Sequence, residues 1–292
     1  MKLSRIVTAG AVPAAVAASL ALSACGTGVT AVTAAAVAKE PLQALDNSGS
    51  AGSVTFTFDD GPGLFDQALL TELGKLHLRA VFFVFGDKVA ANRKIIQQEL
   101  AAGDLVENHT WDHKSFTGFS THSKPLTYPE ITSELTRAQQ AIIAAGAPAP
   151  TLYRPPYGDV NGYENDLAAS MGLRIVMPYE SNPHHTPRIV DSMDWTGLSA
   201  AQIVTAVTRG AVSQGVHFPG MDGGSILAFH DSAPGSCVNP AKSDAALCAD
   251  VIQMMKALPG IVAYMNVHQF GVTVNVPSNA TGNVVPNVPV KR

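Results

Sequence analysis

Short apolar segments with strand character alternate with helical segments along residues 53–276, and this rhythm constrains the fold more than any other feature. Val54, Phe56 and Phe58 alternate with threonines, a pattern typical of a half-buried strand. Helical periodicity then precedes the next apolar run, at residues 80–85. Strands that alternate with helices favour a parallel sheet, so the sequence predicts an α/β fold.

The same periodicities predict the remaining elements. Further strands are expected at 105–106, 151–153, 173–177, 188–190 and 225–229. Helices are expected at 65–76, 88–102, 127–146, 164–171, 200–213 and 243–258. Thr127 and Glu130 have the spacing of a capping box, which is typical of a helix start.

Polar residues follow the carboxyl ends of these predicted strands. They are Asp59, Asp60, His109, Arg154, Asp191 and His230. The carboxyl ends of parallel strands meet at one rim of a sheet, and active sites of α/β folds are built there. We therefore expect these side chains to lie together in one site.

Composition excludes several other classes of protein. Of the 292 residues, 46% are apolar, which is enough for a large core and excludes global disorder. Only 14% are charged, against about 25% in a typical protein. The net charge of −4 argues against a nucleic-acid partner, which a basic stripe would indicate.

Two histidines four residues apart suggest a metal site. On a helical turn His109 and His113 would share one face, but such a pair alone is as often an exposed or core pair. Thr110 stands where the zinc-protease motif has its Glu, so a base must come from elsewhere. One of Asp59 and Asp60 can complete a His₂Asp site, and the other can accept a proton from water. A tight turn also explains the two aspartates before Gly-Pro, but not the two histidines.

Five segments together resemble a known family. They are TFDDGP (57–62), HTWDH (109–113), RPPYG (154–158), DSMDW (191–195) and ILAFHD (226–231). Their identity and order resemble the motifs of the polysaccharide deacetylases, the NodB-homology family or carbohydrate esterase family 4. The resemblance implies an α/β fold, a distorted (β/α) barrel of about seven strands, as a single catalytic domain over residues 53–276. It also implies removal of N-acetyl groups from glycans that contain N-acetylglucosamine, such as chitin oligosaccharides or peptidoglycan.

The resemblance assigns roles in cation binding and base catalysis. Asp60, His109 and His113 would hold a divalent metal ion, with Zn²⁺ the expected ion. Asp59 would be the general base for the attacking water, and Arg154 would orient it.

It also assigns the acid and the oxyanion contact. His230 would be the general acid that protonates the departing amine. Asp194 would pair with His230 and tune its pKa, with Asp191 as the alternative partner. The backbone N–H of Tyr157 would stabilise the oxyanion, and the residue would also contact substrate.

The acetyl pocket departs from the family in one respect. The family commonly has a bulky aliphatic residue two positions before the acid, where this chain has Ala228. We expect Leu227 or Phe229 to compensate. Trp195 would wall the same pocket, the alternative being an ordinary core indole.

Two other functions stay open. On the same site, the chain could remove O-acetyl groups from acetylated xylan. In a different class, it could be a non-catalytic glycan-binding lipoprotein. No metal ligand, base or acid of the family is replaced here, which argues against the second alternative.

The N-terminal segment predicts export. Residues 1–24 have the charged start and apolar run of a lipoprotein signal peptide, and Cys25 would carry the lipid. Residues 25–52 would be a flexible tether to the membrane. The alternative is plain secretion with cleavage after residues 36–38, an A-x-A site. The protein would then be a cell-membrane lipoprotein facing the cell wall, or a secreted one.

Smaller features complete the sequence-based expectations. The spacing of Cys237 and Cys248 permits a disulfide in the oxidising environment that export implies. Residues 277–292 are expected to be an irregular tail. We expect a monomer that acts on acetylated glycans and binds no nucleic acid.

Overall fold

A computed structural model describes residues 52–176, 189–213, 216–232 and 245–276. In chain order its strands and helices are β1 Ser53–Gly61, α1 Asp66–Lys75, β2 Ala80–Val84, α2 Gly86–Val89, α3 Arg93–Ala102, β3 Leu105–Asn108, α4 Tyr128–Ala145, β4 Leu152–Tyr153, α5 Gly162–Ser170, β5 Arg174–Ile175, β6 Ile189–Asp191, α6 Ala200–Arg209, β7 Gly210–Ser213, β8 Val216–Pro219, β9 Ile226–His230, α7 Ala245–His268 and β10 Gly271–Val272. Short 3-10 turns at Pro156–Gly158 and Asp194–Thr196 follow β4 and β6.

The described strands form a curled parallel sheet at the centre of the fold. Seven of them run in the order β5-β4-β3-β2-β1-β9-β6, and β10 pairs in parallel with the start of β1. Strands β7 and β8 form a separate antiparallel hairpin. The predicted distorted (β/α) barrel of about seven strands is therefore confirmed.

The alternation along β1 divides its side chains between the two faces of the sheet. Val54, Phe56 and Phe58 pack in the large core that includes side chains of α1, α3, α6 and α7. Thr55 and Thr57 alternate with them and are also buried. Because side chains in a strand alternate between faces, the threonines lie on the opposite face from the phenylalanines.

A second, smaller apolar cluster fills another part of the sheet. It comprises Val81, Phe83, Leu152, Val176 and Ile226. Val81 and Phe83 alternate along β2 with residues of the large core, so this cluster lies on the other face of the sheet. Apolar side chains thus cover the strands on both faces, as expected of a parallel sheet.

Several helix boundaries differ from the sequence-based expectations. The helix expected at 88–102 is two helices, α2 and α3, and the helix expected at 200–213 ends at Arg209. Gly210 has φ 91°, and a Cβ there would lie 2.3 Å from the Phe218 carbonyl oxygen, so only glycine fits this junction between helix and hairpin. The last helix runs through Pro259 to His268 instead of ending at 258.

Some predictions fall outside the described residues. Cys25, the leader, nearly all of the tether and the C-terminal tail lie there, and so does Cys237. Cys248 is described and is disulfide-bonded. Among the described helices, none has the length and apolar character required to cross a bilayer.

Candidate active site and metal centre

The predicted rim residues lie at neighbouring strand ends. Asp59 of β1 lies opposite His230 of β9 in the parallel register. Asn108, which precedes His109, ends β3 and lies opposite Tyr153, which precedes Arg154. The sheet therefore brings the segments that carry the predicted base, acid and metal ligands to one rim.

Backbone strain is concentrated at this rim. Among the described residues, eight non-glycine residues have positive φ. Five of them belong to the end of β1 and to the loops of the site: Asp60, Thr110, His113, Tyr157 and Met193. Such conformations cost about 1–3 kcal/mol each and persist where the surrounding structure enforces them, commonly at functional sites.

Three of the rim side chains form a potential metal site. One ligand atom from each of Asp60, His109 and His113 lies within 4.8 Å of the others. The Asp60 Oδ1 atom is 3.3 Å from His109 Nε2 and 3.5 Å from His113 Nε2. It is buried and accepts no hydrogen bond from a described residue. One carboxylate and two imidazoles form a donor set that suits Zn²⁺ with an open position, so the residues fit a divalent cation.

The surroundings of His109 favour its use as a ligand. Its Nδ1–H donates a 2.6 Å hydrogen bond to the backbone carbonyl of Arg154, which leaves Nε2 free to face Asp60. Metal-binding histidines typically donate their other ring nitrogen in this way, since the bond fixes ring orientation. Phe85 stacks on the same ring, with 5.2 Å between centroids and 8° between planes.

The electrostatics of the cluster match this role. Burial opposes ionisation of Asp60, but the neighbouring His109, His113 and His230 hold the pKa of its carboxyl below the usual range. Burial, together with the charges of His109, His230 and Lys88, lowers the pKa of His113 to about 3, although Asp60 opposes the shift. An ionised carboxylate beside a neutral imidazole is the form in which these groups bind a cation.

Asp59 is held by a buried arginine. The Arg154 Nη1 group donates to Asp59 Oδ1 at 2.7 Å and to Thr57 Oγ1 at 2.8 Å. Its Nε–H donates to the Val176 carbonyl, and its guanidinium lies over the Phe83 ring. Arg154 is 1% exposed, so its position is fixed from several sides, as the predicted role in orienting Asp59 requires.

His230 is held by a single aspartate. Its Nδ1 atom lies 2.8 Å from Asp194 Oδ1, and its backbone N–H donates to Asp194 Oδ2 at 2.8 Å. Burial lowers the pKa of His230, but Asp194, with smaller contributions from Asp60 and Asp59, raises it to about 10. The alternative partner, Asp191, accepts from the Met193 N–H instead. The structure therefore pairs His230 with Asp194, and the catalytic role of the pair stays a prediction.

Two aromatic residues border the site. The Tyr157 ring lies 4.4 Å from the His113 ring, centroid to centroid, and the residue has φ 60° in a tight turn. Trp195 follows Asp194 directly and is 45% exposed, which excludes the alternative of an ordinary core indole. Contact with substrate stays a prediction for both residues, as does the oxyanion role of the Tyr157 N–H.

Residues 46–176 match the family described as Polysaccharide deacetylase. This part of the chain is a polysaccharide deacetylase domain. Its relatives include a bifunctional xylanase/xylan deacetylase of Cellvibrio japonicus, which is 35% identical over 64% of this chain and 24% of that protein. A peptidoglycan-N-acetylglucosamine deacetylase of Listeria monocytogenes is 30% identical over 61% of this chain and 32% of that protein.

A solved structure in the same family matches nearly over its whole length. The family 4 carbohydrate esterase from Streptomyces lividans, solved in complex with acetate, is 29% identical with a TM-score of 0.58. The match covers 80% of this chain and 97% of that chain. In contrast, the chain spans only about a quarter to a third of the length of the two curated relatives named above.

One prediction about the acetyl pocket is wrong. Leu227 is fully buried in the large core, and Phe229 stacks there on Phe56 and Phe58. Because side chains alternate along β9, Leu227 and Phe229 lie on the opposite face from Ala228 and His230. Neither can replace the bulky residue that Ala228 lacks.

Two residues that no sequence pattern singled out also support the rim. Thr57 accepts from Arg154 and donates to the Leu227 carbonyl, so it links two of the strands. Its position two residues before Asp59 on the same strand face was the available signal. Lys88 donates from Nζ to the Asp60 carbonyl at 2.8 Å, which no sequence pattern predicts because the residues are 28 positions apart.

Proposed function

We propose that this chain removes N-acetyl groups from glycans that contain N-acetylglucosamine, such as chitin oligosaccharides or peptidoglycan. One observation carries the proposal: a base and an acid lie at one rim, each held by its own buried partner. Arg154 holds Asp59, and Asp194 holds His230. Beside them lie the three ligand residues of the potential cation site.

The raised pKa of His230 supports an amide as the scissile group. An amine leaves poorly until it is protonated, so amide hydrolysis requires an acid as well as a base. The Asp194 carboxylate raises the pKa of His230 to about 10, against the effect of burial, which keeps a proton available at neutral pH.

The base side of the reaction needs an ionised carboxylate. Asp59 receives a charge-assisted hydrogen bond from Arg154, which fixes the orientation of the carboxylate. Asp60, His109 and His113 would hold a divalent cation, with Zn²⁺ the ion proposed. When bound, such a cation would polarise the acetyl carbonyl and lower the pKa of a coordinated water.

The remaining roles concern substrate. The Tyr157 N–H would donate to the developing oxyanion, where the loss of one donor typically costs about 3 kcal/mol. The exposed Trp195 ring would wall the acetyl group next to the acid.

Acetate release tests the proposed reaction. The full chain would be incubated with N-acetyl-chitooligosaccharides and with peptidoglycan, with and without a chelator, alongside His109→Ala. We expect release from at least one substrate and loss of release with either treatment. Release that survives both treatments would contradict the role of the cation.

An O-acetyl substrate is the second candidate, and the xylan deacetylase relative at 35% identity favours it. An ester's leaving group needs less help from an acid than an amine does. His230→Ala should therefore reduce amide cleavage far more than ester cleavage. Rates on acetylxylan and chitin oligomers, measured on one preparation of each variant, would rank the two candidates.

A non-catalytic glycan-binding role remains the alternative from another class. The retained base, acid and ligand residues argue against it. Binding of glycan without acetate release, across several metals and substrates, would support it instead.

We also propose that the enzyme acts outside the cell as a lipoprotein anchored through Cys25. The leader pattern of the sequence is the support for this placement. Fractionation of cells that express the wild type and Cys25→Ser tests it. The wild type should partition with membranes and the variant should not, whereas equal partitioning would favour plain secretion.

A further inference from the structure

The loop between the two histidine ligands is anchored on a helix from another part of the chain. The Glu134 carboxylate of α4 accepts hydrogen bonds from the backbone N–H groups of Trp111 at 3.1 Å and Asp112 at 3.2 Å. Both bonds end on one oxygen, Oε2, and the other oxygen accepts from Lys114 Nζ at 3.1 Å. Glu134 thus contacts the backbone between His109 and His113 and the side chain just beyond.

This loop needs external support because its backbone is strained. Thr110 has φ 69° and His113 has φ 66°, a region that non-glycine residues rarely occupy. Asn108 anchors the start of the loop: its Oδ1 accepts from the Thr110 N–H, and its Nδ2 donates to the Leu135 carbonyl of α4. Neighbouring residues of one helix therefore hold both halves of the loop.

We propose that Glu134 is a positioning residue for the cation site, which fixes the backbone between His109 and His113 so that both imidazoles face Asp60. This role rests on the cation site of the proposed function. Glu134 lies on α4, and none of its hydrogen bonds reaches a ligand side chain, so it acts only through the loop.

The chemistry of the contact suits a carboxylate. A buried carboxylate that accepts several N–H bonds satisfies donors that would otherwise be unpaired in a strained loop. The Glu134 side chain is 5% exposed, and Lys114 supplies its counter-charge while also pairing with Asp112 at 2.8 Å. An apolar side chain of the same size would leave two backbone N–H groups without acceptors.

Metal affinity is the readout that separates positioning from a merely structural role. Zn²⁺ would be titrated calorimetrically into the metal-free full chain, in the wild type and in two variants of Glu134. Glu134→Met keeps the volume but removes the acceptor, and should weaken Zn²⁺ binding by about 10- to 100-fold, the usual cost of losing a residue that supports a ligand. Glu134→Gln keeps one acceptor oxygen and should retain most of the wild-type affinity for Zn²⁺.

Lys114→Met is the matched control. It removes the counter-charge of Glu134 but leaves both backbone N–H bonds to Glu134 in place, so the affinity should change far less than in Glu134→Met. Unchanged affinity in a folded Glu134→Met protein would overturn the positioning role while leaving the cation site intact. A wild type that binds no Zn²⁺ would overturn both.

Hydrogen exchange decides the matter if Glu134→Met does not fold. In the metal-free wild type, the amides of Trp111 and Asp112 should exchange slowly, and nearly as slowly in Glu134→Gln, which keeps an acceptor oxygen. Fast exchange of both amides in the wild type would mean that the carboxylate does not hold the loop, which overturns the proposal.

Discussion

Two groups of buried acidic side chains in this protein have opposite surroundings. At the rim, Asp59 lies against Arg154, and Asp194 lies against His230. Nearby, a second group consists of Asp66, Glu99 and Asp231, which we term the unpaired carboxyl cluster. All three are at most 1% exposed, and five of their six carboxylate oxygens have no hydrogen-bond partner among the described residues.

The pKa values follow this difference. Burial, opposed by the Gly63 N–H and Lys88, raises the pKa of Asp66 to about 7. Burial and the charges of its acidic neighbours raise the pKa of Glu99 and of Asp231 well above the usual range. Asp59 and Asp194 are also buried, but each lies in an ion pair, with Arg154 and His230 respectively. In the cluster, burial instead favours the protonated carboxyl groups.

The largest effect is expected from breaking the arginine pair. Arg154→Met leaves Asp59 buried without its cation, and loss of one partner of a buried pair typically costs about 3–5 kcal/mol of unfolding free energy. Urea unfolding of the metal-free protein measures this loss. The double variant with Asp59→Asn should recover much of it, because no uncompensated charge remains.

A small loss of unfolding free energy in Arg154→Met would contradict the proposed difference between the rim and the cluster. If Arg154→Met lowered the unfolding free energy by less than about 1 kcal/mol, as for an exposed pair, the fold would not depend on the pairing of Asp59 with Arg154.

The next effect concerns the acid. Asp194 raises the pKa of His230, so Asp194→Asn should lower that pKa. The alkaline limb of the pH profile, where activity is lost as His230 loses its proton, should therefore move to lower pH. Activity should fall by about 10²-fold at pH 8, and by less at pH 6, where more His230 stays protonated. The pH profile of kcat/KM measures the shift.

Asp191→Asn is the control for this prediction. Asp191 accepts from the Met193 N–H, and asparagine can keep that bond, so the alkaline limb of the profile should not move. An equal shift in both variants would assign the effect to a general disturbance of the loop.

The sequence predicted the rim group far better than the cluster. Asp59, His109 and His230 follow strand ends, and the parallel sheet brings such positions together whatever the details of packing. Their partners were reached through family resemblance, and Thr57 and Lys88 were missed, because those contacts depend on tertiary distances.

Local patterns failed where distant contacts decide the structure. Helical periodicity continues past Arg209, but pairing with Val216–Pro219 turns residues 210–213 into a strand. A proline normally predicts a helix end, yet α7 continues through Pro259. Glu99 falls within the helix expected at 88–102, and only the fold places its side chain in the interior.

The smallest predicted effect tests the unpaired carboxyl cluster at Glu99. Neither of its oxygens has a hydrogen-bond partner in the part of the chain that the structure describes, so Glu99→Met removes a buried polar group without breaking a bond seen there. The unfolding free energy at pH 8 should rise by about 1–3 kcal/mol, the usual cost of an unsatisfied buried group. Thermal or urea unfolding at several pH values measures the gain.

The sign of its pH dependence follows from the raised pKa. Unfolded Glu99 loses its proton near pH 4, whereas folded Glu99 keeps it to higher pH, so between the two pKa values the native state binds more protons. The contribution of Glu99 to the unfolding free energy of the wild type therefore falls as pH rises above about 4. The stability gained in Glu99→Met should accordingly be smaller at pH 4 than at pH 8. Glu130→Met should show the opposite pH dependence of stability. Hydrogen bonds from Thr127 lower the pKa of Glu130 and stabilise its ionised form, so the variant should lose more stability at pH 8 than at pH 4. If Glu99→Met raised the unfolding free energy equally at all pH values, Glu99 would destabilise the fold through packing alone. Retention of a proton would then not distinguish the cluster from the rim.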